Sequence, residues 1–187
     1  TDSVYGRELW IAEIGTGSVR MFKDIRPGSY GSSPQNFAIM GDMLYFSSDD
    51  GTHGTELWKT DGTEEGTMMV EDIRPEGSYG SSPNSITAVG DTLYFEAYTD
   101  DFGVELWKWN SSDGAGIVKD IFPGNNSFGN PNGSYPSGFM EFNNLVYFNA
   151  RDSWDEGGSG NYELWKTDGT EEGTVLVKDI NSVGTSS

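Results

Sequence analysis

The sequence contains no cysteine and a single histidine, His53. The first absence removes any disulfide framework, thiolate nucleophile or thiolate metal site, and the second removes zinc sites built from several imidazoles. Positive charge is scarce as well: 11 Lys and Arg stand against 30 Asp and Glu, a net charge of −19 over 187 residues. No basic stripe able to neutralise phosphates is present, so neither nucleic acid nor an anionic membrane surface is expected as a partner. No apolar run approaches the roughly 20 residues that a spanning helix needs, so no membrane insertion is expected. Hydrophobic residues amount to only 34%, but 26 glycines and a 13% aromatic share accompany them. That mixture fits turn-dense β structure with aromatic packing, and the length suits one domain.

What the chain does have is an internal repeat. Glu-Leu-Trp recurs with its tryptophan at Trp10, Trp58, Trp107 and Trp165, at spacings of 48, 49 and 58 residues. Asp-Ile follows each time, at Asp24, Asp72, Asp120 and Asp179, and an apolar-aromatic run precedes the last three, at Leu44-Tyr45-Phe46, Leu93-Tyr94-Phe95 and Val146-Tyr147-Phe148. Each period reads as four short strands: the Tyr-Phe strand, the Glu-Leu-Trp strand ending at a turn such as Asp61-Gly62, the Asp-Ile strand halted by proline, and a fourth such as Ser85 to Val89. Four antiparallel strands in about 40–50 residues is the period of a propeller blade. The expected fold is therefore all-β, a β-propeller-type repeat of about three and a half four-stranded antiparallel blades. The half repeat covers 1–36, and the repeats cover 37–84, 85–138 and 139–187. Within a strand the faces alternate, so Leu44 and Phe46 share one face and Tyr45 takes the other. The recurring tryptophans read as packing between blades. The recurring Asp of Asp-Ile reads as an acceptor for loop N–H groups.

Three and a half blades leave a sheet edge to be covered. A segment cut from a longer array, copies that complete a ring together as a homo-oligomer, and a compact four-bladed form with one thin blade all fit that count.

The copies Glu56-Leu57-Trp58-Lys59-Thr60-Asp61-Gly62-Thr63 and Glu163-Leu164-Trp165-Lys166-Thr167-Asp168-Gly169-Thr170, with Glu-Glu-Gly-Thr after each, resemble the ELWxxDGT repeat family. The resemblance extends over essentially the whole chain. It implies a propeller-like array in large secreted or cell-surface proteins, and it supplies no catalytic residues. The first and third copies depart from the Asp-Gly-Thr turn, and the last period is lengthened through Gly124 to Ser137 and Ser153 to Asn161. Such departures are where function is grafted onto a repeat.

Carboxylates gather in the loops before Glu-Leu-Trp: Asp49 and Asp50, Asp100 and Asp101, Asp152 and Asp155. Hard oxygen ligands on Gly-bearing loops suit Ca2+, which is the expected cofactor. Aromatics outside the repeat pattern, Tyr98, Trp109, Tyr135 and Trp154, lie in or beside loops and are the expected ligand-binding residues, since an aromatic face stacks on sugar C–H groups. No nucleophile motif accompanies His53, and no carboxylate pair is singled out for acid–base work, so no catalysis is expected. The expected function is an extracellular recognition or adhesion module that binds a glycan or protein ligand with the help of Ca2+. The alternative is a structural segment joined to adjoining repeats through open sheet edges, in a surface assembly or filament. A polysaccharide-acting enzyme is the third.

Overall fold

The computed structural model describes residues 3–75, 79–154 and 160–179. Among them lie fourteen strands and no helix. β1 (Leu9–Ala12) and β2 (Val19–Lys23) form a two-stranded sheet. β3 (Gln35–Met40), β4 (Met43–Asp49), β5 (Thr55–Thr60) and β6 (Met68–Glu71) form the next, in chain order. β7 (Asn84–Val89), β8 (Thr92–Thr99), β9 (Gly103–Asn110) and β10 (Gly114–Lys119) follow, and then β11 (Ser137–Phe142), β12 (Leu145–Arg151), β13 (Tyr162–Thr167) and β14 (Val175–Lys178). The chain is all-β, a propeller-type repeat of three four-stranded antiparallel blades and a two-stranded half blade.

One strand changes sheet relative to the sequence reading. The strand order puts Ser85–Val89 last in its period, while the repeat bounds open a repeat at 85; it pairs with β8 as the first strand of the following sheet, in line with the bounds. The turn Gly90-Asp91 is short, with Gly90 at φ +57, and so joins antiparallel neighbours as a hairpin. The longer Gly- and Ser-rich connectors are the segments that let the chain leave a sheet.

Internal contacts divide the chain into two compact units, one running to Ile86 and the other from Thr87. In the first, Ile25, Phe46 and Trp58 form the core, with Leu9 and Met69 against it. In the second, Tyr94, Leu106, Val118 and Ile121 pack with Val146, Phe148, Ala150 and Trp165. Phe46, Phe95 and Phe148 are the largest fully buried side chains, and each stands opposite the motif tryptophan of its sheet. The tryptophans Trp58, Trp107 and Trp165 are buried at 7%, 9% and 7% exposure.

The motif glutamate performs the role that the sequence reading gave to the Asp of Asp-Ile. Glu56 accepts from the backbone N–H of Ile73 at 3.2 Å and Arg74 at 3.3 Å, and from Ser81 N at 2.6 Å and Ser81 Oγ at 2.5 Å. Glu8 does the same with Ile25, Arg26 and Ser32, and Glu105 with Ile121 and Ser134. A buried carboxylate thus ties the end of the Asp-Ile strand to the connector that leaves the sheet, satisfying N–H groups no ladder reaches. The Oδ1 atoms of Asp24, Asp72 and Asp120 are buried and meet no donor among the described residues.

Candidate functional site

The repeated side chains are absorbed by architecture, so the site is sought where one copy departs from the others. In the first unit, Arg26, just after Asp-Ile, pairs with Asp49 at the end of β4. The corresponding positions in the second unit hold Phe122, after Asp120-Ile121, and Arg151, which pairs with Tyr162 just as Asp49 pairs with Thr55. The cation has changed strands, and a ring stands where the arginine was.

Arg151 is 9% exposed. Its guanidinium carbon lies 4.1 Å from the Trp154 ring centre, 4.5 Å from that of Tyr135 and 6.0 Å from that of Phe122. Phe122 and Trp154 pack with centroids 5.5 Å apart. Arg151 Nε donates to the Gly133 carbonyl at 2.7 Å, and its backbone N–H donates to Ser134 O at 3.0 Å. The N–H groups of Ser134 and Tyr135 both donate to Val104 O, at 2.9 and 3.2 Å. The connector is therefore pinned on two sides before its aromatic side chain emerges.

Tyr135 occupies a left-handed backbone position, φ +49, where the other copies have Ser33 at φ 51 and Ser82 at φ 52. A bulky side chain there costs about 1–2 kcal/mol. The three-way stack around Arg151 offsets that strain, since cation–π contacts strengthen when desolvated. Tyr135 and Trp154 keep 43% and 44% of their surfaces exposed. The result is two aromatic faces, presented to solvent and held in place by a buried cation, the chemistry of a stacking platform.

Of the four expected ligand-binding aromatics, the structure brings Tyr135 and Trp154 together. Tyr98 lies half-buried on β8, and its hydroxyl donates to Asp100 at 3.2 Å. Trp109 is buried at 7% exposure on β9, opposite Leu93 and Ala115. Of the acidic loop residues, Asp49 bonds to Arg26 and accepts from Gly51 N at 2.6 Å. Asp50 accepts from the N–H groups of Thr52 and His53 and pairs with His53 Nδ1 at 2.7 Å. Against partial burial, the His53 backbone N–H and then its imidazole hold the Asp50 carboxyl below its ordinary pKa, and the Asp50 carboxylate holds the His53 imidazole above its own. Asp100 and Asp101 are exposed, Asp152 is half-buried beside Ser153, and Asp155 lies outside the described residues. Among the described residues, no three acidic or histidine side chains gather as a metal-holding group. Arg151 and Phe122 were missed by sequence reasoning. Their signal was the substitution of Phe for Arg after Asp-Ile, paired with an Arg where the other copies carry Asp49 or Tyr98.

No family model matches the chain, and no curated protein matches it. Solved structures do. An isopeptidase, AtxE2, superposes with a TM-score of 0.52 at 11% identity over 92% of this chain and 24% of its own, so the chain spans about a quarter of that enzyme's length. A computationally designed protein, Ika8, gives 0.49 at 12% identity over 96% of this chain and 46% of that one. An α-L-arabinofuranosidase from Clostridium thermocellum gives 0.37 at 12% identity, over 75% and 49%. AtxE2 is an enzyme, which overturns the expectation of a chain without catalysis: this architecture does not exclude it. At such identity the likeness shows the fold alone and assigns neither activity to this chain.

Proposed function

We propose that this chain is a recognition module of the secreted or cell-surface repeat type, binding glycan through the Tyr135–Trp154 face of its second unit. The observation that carries this reading is the buried Arg151 guanidinium within 4.1–4.5 Å of two rings that remain more than two-fifths exposed. Rigid aromatic faces bind with little loss of side-chain freedom, and their C–H and π character matches the apolar face of a pyranose. The resemblance of the repeats to the ELWxxDGT family supports the extracellular setting.

The test is a glycan array with the full chain, followed by titration calorimetry on the best ligand. Trp154→Ala and Tyr135→Ala are expected to weaken binding at least about ten-fold, as exposed aromatic anchors do. Retention measured with millimolar calcium and again in excess chelator reads the calcium expectation directly. Equal affinity in both variants, at unchanged melting temperature, would remove this face from the function.

A further inference from the structure

In the second unit, the tyrosine of the Leu-Tyr-Phe strand has a defined seat. Tyr94, on β8, is 7% exposed and packs with Leu106 and Val118 of its own sheet and Val146, Phe148 and Trp165 of the next. Its hydroxyl lies against the Asp168-Gly169 turn, where a methyl group on Gly169 would come within 2.7 Å of it. Burial, and then the nearby Asp168 charge, raise its pKa. In the β8–β9 pairing Tyr94 stands opposite Lys108 and Phe95 opposite Trp107.

The first unit contains the same surroundings around an open space. A cleft of about 310 Å³ is lined by Leu9, Ile11, Phe22, Leu44, Asp61 and Gly62, among others. By motif position these match Leu106, Lys108, Val118, Val146, Asp168 and Gly169, the residues around Tyr94. What the β1–β2 sheet lacks is a β8 counterpart: among the described residues β1 pairs with β2 on one edge and with no strand on the other. No phenylalanine stands opposite Trp10, which is 40% exposed where its three counterparts are at 7–9%. Ile11 and Phe22 make this cleft more apolar than its counterpart, where Lys108 and Val118 stand.

We propose that this cleft receives the tyrosine of an incoming β-strand, presented as a hairpin of another repeat of this kind, which adds to the open edge of β1. The added strand runs antiparallel to β1, its tyrosine opposite Ile11 and its phenylalanine opposite Trp10, as Tyr94 and Phe95 stand opposite Lys108 and Trp107. Backbone hydrogen bonds to β1 supply affinity, and the tyrosine in its pocket supplies register and specificity. The occupant is identified by the chain's own example: the cleft has the chemistry of the Tyr94 seat, including the Asp-Gly turn against which the hydroxyl rests.

The experiment adds to the full chain a cyclised hairpin peptide of residues 35–49, which carries Leu44-Tyr45-Phe46. Cyclisation removes the ordering penalty that a free hairpin bears. Saturable binding is expected, with slowed amide exchange at Leu9 to Ala12 and NMR shifts centred on Ile11 and Gly62. A Tyr45→Ala peptide is expected to bind at least about ten-fold more weakly, having lost the buried ring. An Ile11→Trp chain, with the cleft filled, is expected to lose the peptide while retaining its fold. No binding, equal affinity for the alanine peptide, or undiminished binding by the filled chain would overturn the proposal.

Discussion

The glutamate of Glu-Leu-Trp is the residue on which each repeat turns. Glu105 is buried, and burial pushes its carboxyl up to about 7 from 4.5 against the pull of Ser134 and the Ile121 N–H. Burial raises Glu56 as well. A carboxyl raised in the folded state contributes stability that is complete below its unfolded value and is lost as pH rises through the folded one. The Glu105 contribution is therefore present below about pH 4.5 and lost through about pH 7. Wild-type melting temperature is expected to fall between pH 5 and pH 8, and a Glu105→Gln chain, which has no charge to bury, to fall less; equal slopes would locate the dependence elsewhere. Gly66 and Gly173 are fixed by close approach, since a Cβ on either would overlap the carboxylate of Asp61 or Asp168. Those aspartates accept from Thr63 and Thr170, which holds both carboxyls below their usual range. Gly173→Ala is expected to cost about 1–3 kcal/mol in a denaturant titration, because the Asp168 carboxylate must leave its hydrogen bonds from Thr170 to make room for the methyl group.

At the scale of elements, Asp-Gly-Thr-Glu-Glu-Gly-Thr proves to be a turn locked from both sides. From within, Thr170 Oγ1 accepts from Gly173 N, and Thr174 Oγ1 donates to the Thr170 carbonyl. From the neighbouring sheet, Lys119 Nζ donates to Thr174 O at 2.9 Å and Glu171 O at 3.4 Å, as Lys23 does to Thr67 and Glu64. Lys119→Met is expected to cost about 1 kcal/mol, a charged hydrogen bond discounted for partial exposure, and to speed amide exchange at Thr174. Exchange unchanged at that amide would show the clamp to be idle. The strands themselves were legible in the sequence, because Glu-Leu-Trp, Asp-Ile and Tyr-Phe recur in fixed order. Sheet membership of Ser85–Val89 was legible in the repeat bounds, which open at 85, but not in the strand order, because pairing follows the short turn at Gly90 rather than the order counted from the Tyr-Phe strand. Tyr135 and Trp154 were legible as aromatics outside the pattern. Trp109 was read as near a loop because β5 ends two residues past its tryptophan, yet β9 continues to Asn110 and buries the second ring in a longer ladder. Arg151 was hidden because its role comes from a swap of charge and ring between two strands far apart in sequence, which only pairing brings together.

Over the whole molecule, surplus negative charge outweighs every local pairing. With a net charge of −19 and a pI near 4.1, the folded chain concentrates like charges that the unfolded chain separates. The basic side chains do little to neutralise this: Lys23, Lys108 and Lys119 place their ammonium groups on backbone carbonyls, and Arg151 is enclosed by rings and the Gly133 carbonyl. The Arg26–Asp49 pair is part-exposed, and a pair of that kind contributes about 0–1 kcal/mol. Screening should then relieve more repulsion than it removes attraction. At pH 8, where the carboxylates are ionised, melting temperature is expected to rise as sodium chloride goes from about 0.02 to about 0.5 M, over which the Debye length falls from about 20 Å to about 4 Å. The rise should shrink at pH 5, where fewer groups repel. A melting temperature that instead falls with salt at pH 8 would mean that paired charges outweigh the surplus. Because salt leaves aromatic stacking largely intact, the glycan binding proposed for the Tyr135–Trp154 face is expected, if it occurs there, to persist across the same range, which separates such a contact from one held by exposed ion pairs.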